Sequence, residues 1–202
     1  YPAEDRSYVW GLQAMPGWNS KNNSESSFCV PIRQKVMSYA EVCLLKAEAA
    51  LRGWNGAGDA KANYLAGIKA SFEAERAMVS DASLYSTAND NTYMTTGKVE
   101  WKGDADFETH LEQIITQKWL ALYPNGTEAW TEFRRTGYPK LTPVKVSMES
   151  TINAANGEFV KKLRYVDDEL RENPNASDKS LNGGKGDGMN VRVWWDAGNR
   201  YK

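Results

Sequence analysis

Histidine and cysteine are nearly missing from this chain: among its 202 residues there is one histidine, His110, and two cysteines, Cys29 and Cys43. His110 has no Ser or Cys nucleophile setting beside it. Catalytic triads and histidine-rich metal sites are therefore hard to build, and a structural role at the surface or half-buried is expected for it. The cysteines give neither a disulfide framework nor metal-ligand spacing. Cys43 lies in an apolar helical stretch, where a buried free thiol is the expectation. Net charge is also missing, since 26 acidic and 25 basic residues leave −1. That argues against a general electrostatic attraction to nucleic acid or anionic lipid. No window approaches the ~18 apolar residues of a membrane span. The opening "YPAEDRSYVW" has neither the basic start nor the apolar run of a signal peptide, so the chain reads like the middle of a longer protein.

Catalytic carboxylates are present but not arranged. Asp104, Asp106, Asp167, Asp168 and Glu169 could serve glycoside hydrolysis, yet nothing in their spacing singles out a pair. "GGKGDGMN" lacks the Lys-Ser/Thr of a phosphate loop and the closing glutamate of a calcium loop. The chain is read as a non-enzyme, with no catalytic residue, no metal ligand and no cofactor.

What the chain does have is aromatics: 8 Trp, 10 Tyr and 5 Phe. Their large apolar bodies suit cores and interfaces alike. The densest stretch, "QKWLALYPNGTEAWTEFRRTGYPKL" from Gln117 to Leu141, is either a binding site or the core of a helical hairpin. Periodicity favours the core. Phe107, Leu111, Ile114, Ile115, Trp119 and Leu122 mark one helix ending near Tyr123, and "PNG" stops it. Asn125 with Glu128 resembles a capping box. Trp130, Phe133 and Gly137 mark the next helix, which Pro139 closes, so Trp119, Trp130 and Phe133 are expected inside. Glu132 and Arg135 form an i,i+3 pair, and Arg134 and Arg135 suit the C-terminal end of the helix dipole.

An earlier hairpin spans about 31–79. From about Pro31 to Arg52, Val36, Ala40, Cys43, Ala47 and Ala50 form one stripe, with Met37, Leu44 and Leu51 beside it. So wide an apolar arc implies burial on more than one side. Glu41, Glu48 and Arg52 form its polar face, with a Glu48–Arg52 i,i+4 pair. After "GWNGAG" a second helix runs from about Asp59, its N-cap, to Met78, with Leu65, Ile68 and Phe72 inward. Residues 1–30, 80–106 and 141–202 are irregular. The 80–106 connection is long enough that it must be functional or ordered by packing. "LTPVKV" is a candidate strand, and "LRYVDDELRENPN" suggests an extended piece, then a short helix capped by Asp167. The fold class is all-α: tetratricopeptide-like helical hairpins with long irregular loops, without a clean ~34-residue period.

Several blocks in this order resemble one family. "PIRQKVMSYAEVCLLKAEAALRGW", "IITQKWLALYPNGTEAWTEFRRTGYPKL", "KKLRYVDDELRENPNA" and the terminal "RVWWD" are similar to signature segments of the SusD/RagB-like surface nutrient-binding lipoproteins of Bacteroidetes. Val166 stands where a proline is usual. The resemblance covers most of 31–196 and implies the C-terminal part of a longer, SusD-like protein. It implies a binding protein on the outer face of the outer membrane, lipid-anchored through an N-terminal segment outside this chain. Such a protein captures oligosaccharides for a partner SusC-like TonB-dependent transporter. A peptide receptor of the RagB type is the first alternative, and a helical-repeat scaffold that binds only protein is the second.

If the signature helices pack, ligand contact falls to the loops. Trp10, Trp18, Trp54, Tyr93 and Trp101 lie in Asn/Gly/Asp-rich loops, where ring faces for stacking and amides for hydroxyls would form a carbohydrate platform.

Overall fold

The computed structural model describes residues 36–77, 86–196 and 200. Trp10, Trp18, Cys29 and the start of the first hairpin lie outside them. The chain divides into two compact units, one up to Ala129 and one from Trp130. Among the described residues all regular structure is helical. The candidate strand at 141–146 is irregular instead. Pro143 interrupts it, and Val144 and Val146 are left exposed.

In the first unit, α1 (Tyr39–Leu51) begins at Ser38, whose hydroxyl accepts the Glu41 N–H at 3.1 Å. That cap sets the start later than the apolar pattern suggested. Val36 and Met37 precede the helix and are exposed rather than part of its stripe. Helix α2 (Ala60–Arg76) is capped by Asp59 as expected, with Oδ1 accepting the Ala62 N–H at 2.7 Å. The two helices pack closely, and α4 (Phe107–Ala121) closes over both. Ala40, Leu44, Ala47, Tyr64, Ile68 and Ile114 are the centre of the core. Small residues set how near the first two helices come. A Cβ on Gly67 would lie 2.6 Å from Leu44 Cγ and 3.3 Å from the Ala40 carbonyl oxygen.

The wide arc of α1 is buried further than its sequence indicated. Glu41 and Glu48, assigned to a solvent face, are themselves buried. Glu48 is satisfied by Arg52, whose Nε donates to it at 2.9 Å, so the expected pair serves a buried carboxylate. Cys43 is buried and free.

The long connection is ordered by packing. A short helix α3 (Asp90–Thr95) is tied to the end of α2 by a two-pronged Arg76–Asp90 ion pair. Met94, Val99 and Trp101 then pack against the core. Helix α4 starts at Asp106, whose Oδ1 accepts the Thr109 N–H at 2.8 Å. The side-chain and backbone hydrogen bonds from Thr109 hold the Asp106 carboxyl below its usual range. Leu111, Ile114 and Ile115 are fully buried, each contributing about 1.5–3 kcal/mol. Phe107, expected on the same stripe, is partly exposed at the first turn, and Trp119 is half-buried.

Helix α5 (Gly126–Thr136) carries the division between the units. Asn125 Oδ1 accepts the Glu128 N–H, as the capping pattern predicts. Gly137, with φ +77°, ends the helix where a left-handed residue is required. In the second unit Phe133 is buried with its ring edge against Phe159, centroids 4.9 Å apart. Trp130 is half-buried, not fully inside, and its Nε1 donates to the Val160 carbonyl at 3.3 Å. Arg135 grips buried Glu132 through two hydrogen bonds. Arg134 does more than face a dipole. Its guanidinium lies 3.8 Å from the Trp130 ring centroid and 4.9 Å from that of Trp195, and Nη1 donates to the Lys161 carbonyl.

The remaining chain is held by backbone turns, side-chain-to-backbone hydrogen bonds and ion pairs together. Helix α6 (Asp167–Glu172) has Asp167 as its first residue rather than its cap; Val166 holds the cap position. The acids of that first turn still favour its dipole. The "GGKGDGMN" loop is structural. Asp187 pairs with Lys162 and accepts the Tyr165 N–H at 2.8 Å, and the Met189 carbonyl accepts the Lys161 N–H at 2.8 Å.

Candidate ligand-binding site

The turn between α1 and α2 presents Trp54 in a fixed position. Gly53, with φ +74°, follows the helix and its N–H bonds to the Ala50 carbonyl, while the Trp54 N–H returns to the Ala49 carbonyl. This pair of bonds is a Schellman motif, and Gly53 supplies the left-handed residue it needs. Its backbone is therefore rigid, yet the Trp54 side chain is 67% exposed. Asn55 beside it is exposed too. Two residues back, the Arg52 guanidinium lies 5.3 Å from the ring centroid of Phe107, which is itself partly exposed. This end of the unit thus offers an indole face, an amide and an Arg-capped phenyl ring. Such groups can stack on an apolar face and hydrogen-bond hydroxyls.

Two further sequence candidates are placed differently. Trp101 is half-buried, stacked on His110 and tilted against Tyr64 at 5.2 Å. The expectation of an exposed loop aromatic is corrected there, because core packing takes up its ring. Tyr93 keeps 36% exposure, but its edge meets Phe72 at 5.3 Å and its hydroxyl donates to Gln117 at 3.2 Å. Around them, the loop before α4 is pinned. Gln113 Nε2 donates to the Lys98 and Glu100 carbonyls at 3.0 and 2.7 Å. The Tyr64 hydroxyl donates to the Val99 carbonyl at 2.7 Å. Burial, with Tyr93 nearby, pushes the Tyr64 hydroxyl's pKa upward, so it remains a donor. The structure does not bring Trp54, Tyr93 and Trp101 onto one open platform. Sequence reasoning missed the contact of Arg52 with Phe107, because Phe107 fits the α4 stripe by spacing alone.

The signature helices are thus spent largely on packing, and Trp54 is held out at the turn between α1 and α2. A family model described as SusD-like, the Susd and RagB outer membrane lipoproteins, matches residues 13–196. The chain belongs to this SusD-like family. Among solved structures it is similar to a chitin-binding SusD homolog from Flavobacterium johnsoniae, with 40% identity and a TM-score of 0.60 over 79% of this chain and 36% of that one. A SusD homolog from Bacteroides thetaiotaomicron gives 36% identity and a TM-score of 0.63, covering 79% of this chain and 38% of the other. One from Bacteroides ovatus gives 39% identity and a TM-score of 0.58, covering 78% and 36%. The chain therefore spans little more than a third of the length of these relatives. A search of curated proteins gives no match.

Proposed function

We propose that the protein to which this chain belongs captures oligosaccharides at the cell surface and passes them to a SusC-like TonB-dependent transporter, without chemistry of its own. The likeness to the chitin-binding homolog carries this reading. The exposed, backbone-locked Trp54 supports it, since an indole face stacks on a sugar ring while Asn55 and Arg52 reach hydroxyls. Of the three sequence-named aromatics that the structure describes, Trp54 is the one proposed for ligand contact. Trp101 and Tyr93 are proposed to hold the loop before α4 against the core.

Calorimetry with a panel of neutral oligosaccharides, chitin oligomers first, and a panel of peptides separates the readings. Saturable binding of a glycan and none of peptides is expected. Tight peptide binding with no glycan binding favours the RagB-type receptor instead.

A further inference from the structure

Four asparagines in this chain stand directly before a glycine: Asn55, Asn125, Asn156 and Asn182. The pairing matters chemically. With no Cβ on the following residue, the glycine nitrogen can close on the asparagine side-chain carbon, and a loosely held pair deamidates without any enzyme. The fold treats the four differently. At Asn125 the Gly126 N–H donates to the Pro124 carbonyl at 2.8 Å and Oδ1 accepts the Glu128 N–H, so both reacting groups are held. At Asn156 the Gly157 N–H donates to the Ala154 carbonyl at 2.9 Å, and Gly157 is buried. At Asn182 the side chain is tied down, its Nδ2 donating to the Gly186 carbonyl at 2.7 Å.

The Asn55–Gly56 pair is held only at its ends. Ahead of it the Trp54 N–H bonds to the Ala49 carbonyl, and behind it the Asn63 side chain donates to the Ala57 carbonyl at 2.8 Å. The turn between closes on one long bond, from the Ala57 N–H to the Trp54 carbonyl at 3.3 Å. Among the described residues, neither the Gly56 N–H nor the Asn55 side chain has a hydrogen-bond partner, and both residues are exposed. A Cβ on Gly56 would meet nothing within 4 Å, so the asparagine side chain has room to fold back.

We infer that Asn55–Gly56 is a self-modifying site, and that its conversion weakens glycan capture at the Trp54 turn. The Gly56 nitrogen, giving up its proton, bonds to Asn55 Cγ. The Cγ–Nδ2 bond breaks, and the amide takes up a proton and leaves as ammonia. Water then opens the succinimide at one carbonyl or the other, leaving an aspartate or an isoaspartate at position 55, and nothing is oxidised or reduced. The ionised product only accepts hydrogen bonds where the amide also donated. It therefore loses the donor for a sugar's hydroxyl or acetamido oxygen beside the indole. The second half of the inference rests on the reading of the protein as a glycan binder; the modification itself does not.

The test incubates the whole chain at neutral and mildly alkaline pH, folded and in denaturant, and reads its peptides by mass spectrometry for deamidation and isoaspartate. In the folded protein Asn55 should convert about fivefold or more faster than the other three, each of which must first break a hydrogen bond. The rate should rise with pH, and denaturant should bring the four together. Asn55→Gln, whose longer side chain closes a ring reluctantly, should abolish conversion there. By calorimetry, aged wild type should bind a chitin oligomer about fivefold more weakly than fresh, for one lost hydrogen bond, while Asn55→Gln should not change with age. The inference is overturned if Asn55 converts no faster than the other three, or if its conversion leaves the affinity unchanged. Fresh protein that binds no glycan sinks the glycan reading and the second half with it, and the rates at the four asparagines still decide the first.

Discussion

The indole of Trp101 lies flat on the imidazole of His110, with centroids 4.2 Å apart and planes 7° from parallel. The His110 Nε2 hydrogen bonds to the Lys102 carbonyl at 2.7 Å, and a carbonyl can only accept, so Nε2 carries the proton. The single histidine is thus a clasp that closes the loop before α4 onto the core. An aromatic stack contributes about 0.5–1.5 kcal/mol beyond area burial, and a typical hydrogen bond about 1 kcal/mol.

His110→Ala should therefore destabilise the protein by about 2 kcal/mol. Hydrogen exchange should speed up around Lys98–Lys102 while the α1–α2 hairpin keeps its protection. Denaturant unfolding with exchange mass spectrometry reads both. A loss below about 0.5 kcal/mol with unchanged loop protection would mean the stack merely accompanies the fold.

Gly67 makes a prediction of opposite sign to helix propensity. In an exposed helix Gly→Ala gains about 1 kcal/mol. Here the added methyl meets Leu44 at 2.6 Å, and overpacking of this kind costs about 1–3 kcal/mol. Gly67→Ala should be net destabilising, and pairing it with Leu44→Ala should recover part of the methyl's penalty. Thermal unfolding of the single and double variants is the check. A stabilised Gly67→Ala protein would show that α1 and α2 can move apart freely.

Asp106 predicts a pH dependence. The Thr109 bonds lower its folded pKa, so the carboxylate's contribution is fully present above the ordinary Asp range. It is lost as pH falls through the lower, folded value. Asp106→Asn keeps a capping side chain but no charge. The melting-temperature gap between wild type and this variant should be widest near neutral pH and should close as pH drops below about 3.9. A gap that is constant down to strongly acidic pH would contradict the assignment of the cap to the ionised form.

The helices were legible because their signals are local. Asp59 announces α2, Asn125 and Glu128 announce α5, and the Leu111, Ile114 and Ile115 stripe is as buried as its spacing indicated. The apolar stripe misleads where a cap beside it or a distant residue decides. Val36 and Met37 continue the α1 stripe by spacing, yet Ser38 begins the helix after them. Glu41 and Glu48 read as a solvent face because nothing in the sequence states that α2 and α4 both pack on α1. Trp101 and Trp54 look alike in sequence, each in a Gly- and Asn- or Asp-rich loop. One meets His110 and Tyr64 across the fold, and the other is held out by a Schellman turn.

That difference between Trp54 and Trp101 gives the most direct test of glycan capture. A chitin oligosaccharide is titrated calorimetrically into wild type, Trp54→Ala and Trp101→Ala. One stacked ring is worth about 1–3 kcal/mol in nucleic-acid binding, and that scale is an upper guide here, where water competes for the sugar's hydroxyls. Trp54→Ala should weaken binding by about tenfold with unchanged stability. Trp101→Ala should lower stability and leave the affinity of the folded protein within about twofold of wild type. Undiminished binding by Trp54→Ala, or a failure of the wild-type protein to bind any glycan, would contradict the account.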